Sequence, residues 1–182
     1  MDDGIYRPRK DSYLLKEVLE RQELAGKRVL DMGTGSGILA VAAAERGADV
    51  TAVDVDPAAV RHVQERATRD GLDIEVVESD LFEAVEGGYD LITFNPPYIP
   101  GGGRQGDALM GGQDGREVTD RFIATVADHL QPGGRVLLVQ SSRNDVETTV
   151  DAFQEEGLDA DVVEREKLHF EELVVVEAVR HL

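Results

Sequence analysis

A chain of 182 residues with 41% hydrophobic residues can bury one sizeable core and is short for two domains. It has no cysteine, which excludes a disulfide framework, a thiolate nucleophile and a cysteine-based zinc site, and no apolar run approaching the about 18 residues of a membrane span. With 37 acidic against 19 basic residues the net charge is −18, the wrong sign for a surface that grips a phosphate backbone. Without a signal-like start, the expectation is a soluble cytoplasmic protein of one domain spanning 1–182.

Elements alternate along the chain. From Asp11 to Leu24 the apolar residues Leu14, Leu15, Val18 and Leu19 recur at helical spacing, which predicts a helix with Asp11 or Ser12 as its cap and makes 1–25 a leader plus helix. Strands are expected at 27–31 and 49–54, joined through a helix from Ile38 to Arg46. A helix from Pro57 to Arg69, capped by Asp56 and ended before Gly71, leads to strands at 74–78 and 89–94. Gly101 to Gly115 holds seven glycines and no periodicity, a candidate lid within a substrate-side loop over 96–115. A helix from Glu117 to Leu130, a turn at Pro132-Gly133-Gly134, a strand from Arg135 to Gln140, a helix from Asn144 to Glu155 and a strand pair at 160–164 and 172–179 complete the chain.

Four expected strand ends carry chemistry. After the first comes Asp31-Met32-Gly33-Thr34-Gly35-Ser36-Gly37, and then a helix; glycines there let the backbone approach a ligand closely. The spacing is G-x-G-x-G, with Ile38 in place of the last glycine of a dinucleotide loop, which favours S-adenosylmethionine over a pyrophosphate cofactor. The second strand ends in Asp54, placed to accept both ribose hydroxyl protons; the third leads to Asp80 and Leu81, a carboxylate for an adenine amino group and a backbone N–H for a ring nitrogen. The fourth ends in Asn95-Pro96-Pro97-Tyr98. There the Asn oxygen and a Pro carbonyl accept both N–H bonds of an NH2 group, an aromatic ring covers its face, and the prolines stiffen the loop and remove donors.

Strand–helix alternation of this kind implies a seven-stranded, doubly wound, mostly parallel α/β sheet of the Rossmann-like type with an antiparallel last strand, which resembles the class I S-adenosylmethionine-dependent methyltransferases. The resemblance goes further. Tyr6-Arg7-Pro8-Arg9-Lys10-Asp11-Ser12-Tyr13-Leu14-Leu15 looks like a Y-x-P-x-x-D-[ST]-[FY]-L-L leader, and the run from Gly111 to Phe122 resembles G-G-x-x-G-R-E-V-x-D-R-F. Together with Asn95 to Tyr98, these are similar to the HemK-type protein-glutamine methyltransferases of the short archaeal and eukaryotic branch. The resemblance implies methylation of the glutamine side-chain nitrogen in the Gly-Gly-Gln loop of a class I translation release factor. It also implies cofactor-contact positions at Ser12, Asp31, Gly33, Asp54, Asp80, Leu81 and Asn95, amide-binding positions at Asn95, Pro96 and Tyr98, and a small zinc-binding activator subunit pairing along an edge strand, here 74–78.

An amide nitrogen is a poor nucleophile and no His or Lys adjoins the motif, so catalysis is expected to rest on placement. The same grip serves adenine-N6 or cytosine-N4 DNA methyltransferases and guanine-N2 RNA methyltransferases, which the acidic balance disfavours, and protein lysine methylation, which suits an acceptor-lined pocket poorly. Acidic residues lie in every segment, and of the 19 basic residues 15 are Arg. That pattern favours a hydrated surface screened in concentrated salt, where the Debye length is about 3 Å, over attraction to a basic partner. The four histidines show no ligand spacing, so no metal site is expected.

Overall fold

The computed structural model describes residues 7–97 and 115–182; Tyr6, Tyr98, Gly111 to Asp114 and all of the expected lid except Gly115 lie outside the described residues. Short apolar runs give strands β1 (Arg28–Met32), β2 (Asp49–Asp54), β3 (Ile74–Glu78), β4 (Tyr89–Phe94), β5 (Leu130–Ser141), β6 (Asp159–Lys167) and β7 (Glu172–Val179). They form one sheet in the order β3-β2-β1-β4-β5-β7-β6. The β1–β2, β1–β4, β2–β3 and β4–β5 pairs are parallel, and β7 runs antiparallel to both β5 and β6. The seven-stranded, mostly parallel sheet with an antiparallel last strand is as expected.

Period-two alternation divides the strands between two cores. On one face Val29, Val50, Ala52, Leu91 and Leu137 pack beneath α1 (Lys10–Glu20), α2 (Ile38–Ala44) and α3 (Pro57–Asp70). On the other, Leu30, Met32, Ile92 and Phe94 pack against Phe122 of α4 (Glu117–Val126) and Phe153 of α5 (Val146–Glu155). Phe94, Phe122 and Phe153 are fully buried, each worth roughly 1.5–3 kcal/mol by transfer from water. The chain winds outward from β1 to β3, then returns to β4 on the other side of β1. The carboxyl ends of β1 and β4 therefore flank the switch point at which open α/β sheets bind ligands.

Several boundaries differ from the expectation. Neither Asp11 nor Ser12 caps α1: the cap is Arg9, in extended conformation without a side-chain cap bond, and both residues lie buried in the first turn. The helix ends at Glu20, short of Leu24. α4 ends at Val126, and a 3-10 turn at Ala127–His129 hands the chain to β5 at Leu130. Pro132-Gly133-Gly134 is thus an irregularity within β5: pairing jumps from Tyr89↔Leu130 to Leu91↔Arg135. The intervening backbone bonds to the C-terminus, Gly133 N–H to the Arg180 carbonyl (2.9 Å) and Arg180 N–H to that of Gly134 (2.8 Å). Asp56 caps α3 as expected, accepting from the Ala58 N–H at 2.8 Å, with Pro57 at the first helical position.

Candidate active site

The register aligns the chemistry-bearing strand ends. Met32 pairs with Val53 on one side and Phe94 on the other, so the glycine loop leaves the sheet between Asp54 and Asn95. The loop turns sharply, with Gly37 N–H donating to the Thr34 carbonyl (2.8 Å) and Thr34 N–H to that of Val53 (2.8 Å). Gly37 sits at φ +77°, and a Cβ there would lie 3.0 Å from a Val63 methyl, so the close crossing of loop and α3 requires glycine. Arg66 of α3 donates to the Ser36 carbonyl at 3.0 Å and ties the loop down.

Asp54 faces this loop. Its Oδ2 accepts from Gly35 N–H (2.9 Å) and its Oδ1 from Asp56 N–H (3.0 Å). Each oxygen keeps a lone pair for a further donor. Burial raises its pKa above the usual carboxylate value, opposed by the backbone donors.

Asp31 behaves differently. It is almost fully buried, and both oxygens are engaged by the protein: Oδ1 accepts from Thr93 Oγ1 (2.9 Å), Oδ2 from Thr34 Oγ1 (2.7 Å) and Ala40 N–H (3.2 Å). Desolvation pushes its pKa up to about 6 against the three hydrogen bonds. Asp31 therefore clasps the glycine loop, the start of α2 and β4, two residues before Asn95.

Beyond β3, Leu81 adopts a left-handed conformation at φ +50°, braced by Ser79, whose hydroxyl donates to the Leu81 carbonyl (2.9 Å) and accepts from Ala84 N–H (2.9 Å). Asp80 Oδ2 pairs with Arg121 of α4 at 2.9 Å, which leaves Oδ1 for an amino donor. Val55, Glu78, Ser79, Asp80, Glu83 and Ala84 line a depression beside Asp54.

At the end of β4, Pro96 is buried while Asn95 and Pro97 are half-buried. Phe94 packs beneath them on Phe122, with centroids 4.4 Å apart. The Asn95 side-chain Nδ2 donates to Ser12 Oγ of α1 at 3.4 Å. The structure thus joins Ser12 to Asn95, Gly35 to Asp54 and Thr34 to Asp31. Asp80 stands apart, bound to Arg121, and Tyr98 lies outside the described residues. Thr93 escaped sequence reasoning, although a lone hydroxyl in the apolar run Leu91-Ile92-Thr93-Phe94 was a signal for it; Asp11 and Arg121 stand in sequence motifs, but their partners Ser12 and Asp80 were not foreseen.

The donor set fits S-adenosylmethionine. A braced carboxylate at Asp54 matches a pair of ribose hydroxyls, and the glycine crossing at Gly37 keeps the loop close against α3. A family model described as methyltransferase small domain matches residues 9–167. A Methanocaldococcus jannaschii protein with the provisional name protein N5-glutamine methyltransferase is 38% identical over 97% of this chain and 92% of its own. The release factor glutamine methyltransferase of Deinococcus radiodurans is 37% identical over 76% of this chain, which spans only 54% of that longer protein. Among solved structures, the E. cuniculi Mtq2–Trm112 complex, responsible for methylation of the eRF1 termination factor, superposes with a TM-score of 0.81 at 26% identity, covering 97% of this chain and 99% of that one. A T. thermophilus 16S rRNA guanine-N2 methyltransferase, solved with S-adenosylmethionine and guanosine, superposes at 0.77 with 27% identity, over 96% of this chain and 44% of that one. With the glycine loop, the Asp54 acceptor and the Asn95 strand end on one rim, the chain belongs to the methyltransferase small domain family and, within it, to the S-adenosylmethionine-dependent protein N5-glutamine methyltransferases.

Proposed function

We propose that the chain methylates the side-chain amide nitrogen of the glutamine in the Gly-Gly-Gln loop of a class I translation release factor. The observation that carries this reading is Asn95-Pro96-Pro97 at the end of β4, next to the glycine loop, with the Asn95 Nδ2 held by Ser12. Gly33, Thr34, Gly35 and Gly37 cradle the cofactor, Asp54 takes its ribose, Asp80 and Leu81 its adenine, Ser12 and Asn95 border its reactive end, and Asp31 braces the loop from beneath. Bound there, S-adenosylmethionine supplies an electron-poor methyl group on a sulfonium.

The chain's own contribution is placement. The Asn95 carbonyl oxygen and the Pro96 carbonyl accept the two N–H bonds of the substrate amide, which aims the nitrogen and favours the positive charge that develops on it. Fixed geometry of this kind contributes on the order of 7–11 kcal/mol. Pro97 adds no donor to compete for those acceptors. The proton leaves the nitrogen for solvent after the methyl group has arrived.

A small zinc-binding activator subunit adds its strand at β3. The other edge, β6, is interrupted by an extra residue at Val163 and engaged through Glu164 with Arg21, whereas β3 pairs evenly over 74–78 with half-buried Ile74, Val76 and Val77. The working compartment is the cytoplasm, and the acidic surface is suited to concentrated salt. Among the described residues no helix is long and apolar enough to cross a membrane.

Labelled S-adenosylmethionine incubated with the chain and a release factor, with and without the activator and in high salt, tests the reading. Label is expected on the release factor, lost when its Gly-Gly-Gln glutamine becomes Ala, and lost with Asn95→Ala in the enzyme although cofactor binding persists. Label surviving either substitution, or appearing on DNA or RNA, overturns it.

A further inference from the structure

The first turn of α1 meets the end of β4 through a chain of three polar side chains. Asn95 Nδ2 lies 3.4 Å from Ser12 Oγ, and Ser12 Oγ lies 3.3 Å from Asp11 Oδ1, which also accepts the Ser12 N–H at 2.6 Å. Asp11 and Ser12 are only 2% and 3% exposed, so water does not compete for these bonds. Burying a helix-start carboxylate and hydroxyl is expensive unless each is used, and neither serves as the cap that their types and position suggest.

Proton inventory gives this chain a direction. Asp11 Oδ1 accepts both the Ser12 N–H and the Ser12 hydroxyl, so the single hydroxyl proton points at Asp11. The Ser12 oxygen is then left with lone pairs alone and can only accept from Asn95. An amide has one donor end and one acceptor end, so Asn95 must present its NH2 to Ser12 and turn its carbonyl oxygen the other way. The proposed reaction requires that orientation: an Asn95 flipped by half a turn would offer N–H bonds to a substrate NH2 and bind it with the wrong polarity.

We infer that Asp11 and Ser12 are positioning residues that fix the amide orientation of Asn95, so that a carboxylate on α1 sets the acceptor polarity of the site on β4. The inference rests on the proposed acceptor role of Asn95 and adds the device that enforces it. The long distances suit a resting state, since such bonds often tighten only when substrate is bound.

Asp11→Asn is the discriminating variant. It keeps the shape but supplies a donor, so the Ser12 hydroxyl is free to donate to Asn95 and the relay can run backwards. Ser12→Ala removes the relay, and Ser12→Thr keeps a hydroxyl. Turnover is expected to fall about tenfold in Asp11→Asn and Ser12→Ala, the scale of one positioned hydrogen bond, and to recover in Ser12→Thr. In Asp11→Asn, at a residue not placed against the cofactor, S-adenosylmethionine affinity by calorimetry should change less than about threefold, because one hydrogen bond to the cofactor would cost more; the Ser12 variants, at a position that borders the cofactor, are read on the Asn95 side chain instead. In nitrogen-15 spectra the side-chain NH2 pair of Asn95, assigned by its loss in Asn95→Ala, should move and exchange faster with water in Asp11→Asn and Ser12→Ala and return in Ser12→Thr. An unmoved NH2 pair overturns the inference, as does a loss of turnover in Asp11→Asn matched by an equal loss of cofactor affinity. The spectra and calorimetry need no methyl acceptor, so a wrong substrate assignment shows itself separately, as wild-type enzyme that binds cofactor but leaves the release factor unlabelled.

Discussion

The ends of β1 and β2 carry two carboxylates that the same core strands hold and that do opposite work. Asp31 is closed: three donors from Thr34, Thr93 and Ala40 surround it, and almost none of its surface remains exposed. Asp54 is more open: the Gly35 and Asp56 N–H groups bond to one oxygen each, and the residue is only half-buried. Burial raises both pKa values. The difference lies in who supplies the donors. Where the protein supplies them all, the carboxylate is a rivet; where lone pairs are left over, the carboxylate can take the hydroxyl donors of a ligand, the role proposed for Asp54.

Removing each group tests that contrast, and Asp54 should give the larger effect. Asp54→Ala deletes two charge-assisted acceptors for a ribose, each worth about 1.5–3 kcal/mol, so S-adenosylmethionine affinity should fall at least about a hundredfold while the fold holds. Titration calorimetry on the variant checks this; an affinity loss under tenfold would break the contrast. Asp31→Asn should act on stability instead. In the folded chain Asp31 keeps its proton up to about 6, whereas an unfolded Asp releases it near 3.8. Its contribution is therefore fully present below the unfolded value and is lost as pH rises through the folded one. The rise from 3.8 to about 6 corresponds to about 3 kcal/mol of stability lost between pH 4 and pH 6. Asparagine does not titrate, so urea unfolding of Asp31→Asn should lack that part of the pH slope, and parallel curves for variant and wild type would remove Asp31 from its assigned place.

How much of this could be read beforehand follows the range of each cause. Strand periodicity, the G-x-G-x-G spacing, the Asp56-Pro57 cap and the acid at the end of β2 are local, and their positions were legible. The closing of Asp31 depends on Thr93, 62 residues away, the engagement of Ser12 on Asn95, 83 residues away, and that of Asp80 on Arg121, 41 residues away. Those pairings exist only after the sheet has formed, so the sequence showed Ser12 as a helix cap and gave no sign of the partners that Asp31 and Asp80 find within the fold. Pro132-Gly133-Gly134 failed for a related reason. Turn-forming residues marked a break, but Arg180, just past β7, supplied backbone partners that kept the segment within β5.

The finest test of the contrast is Thr93→Val. It removes the only side-chain donor to Asp31 that comes from β4 and leaves the two on the glycine-loop side, at Thr34 and Ala40, in place. A buried carboxylate that loses a donor resists ionisation further, so the Asp31 pKa should rise above 6. The cost then depends on protonation. Near pH 5 Asp31 is mostly neutral and the variant should lose about 1 kcal/mol; near pH 7 wild-type Asp31 is ionised, and the loss should approach 2–3 kcal/mol, the scale of a hydrogen bond to a charged group. The stability gap between Thr93→Val and wild type should therefore widen with pH. In an Asp31→Asn background the widening should vanish, because residues in one network are non-additive when the shared charge is gone. A gap that stays constant with pH in both backgrounds would mean that Thr93 only fills space, and that β4 is placed beside the glycine loop by packing on Phe122 and the strand register rather than by the carboxylate between them.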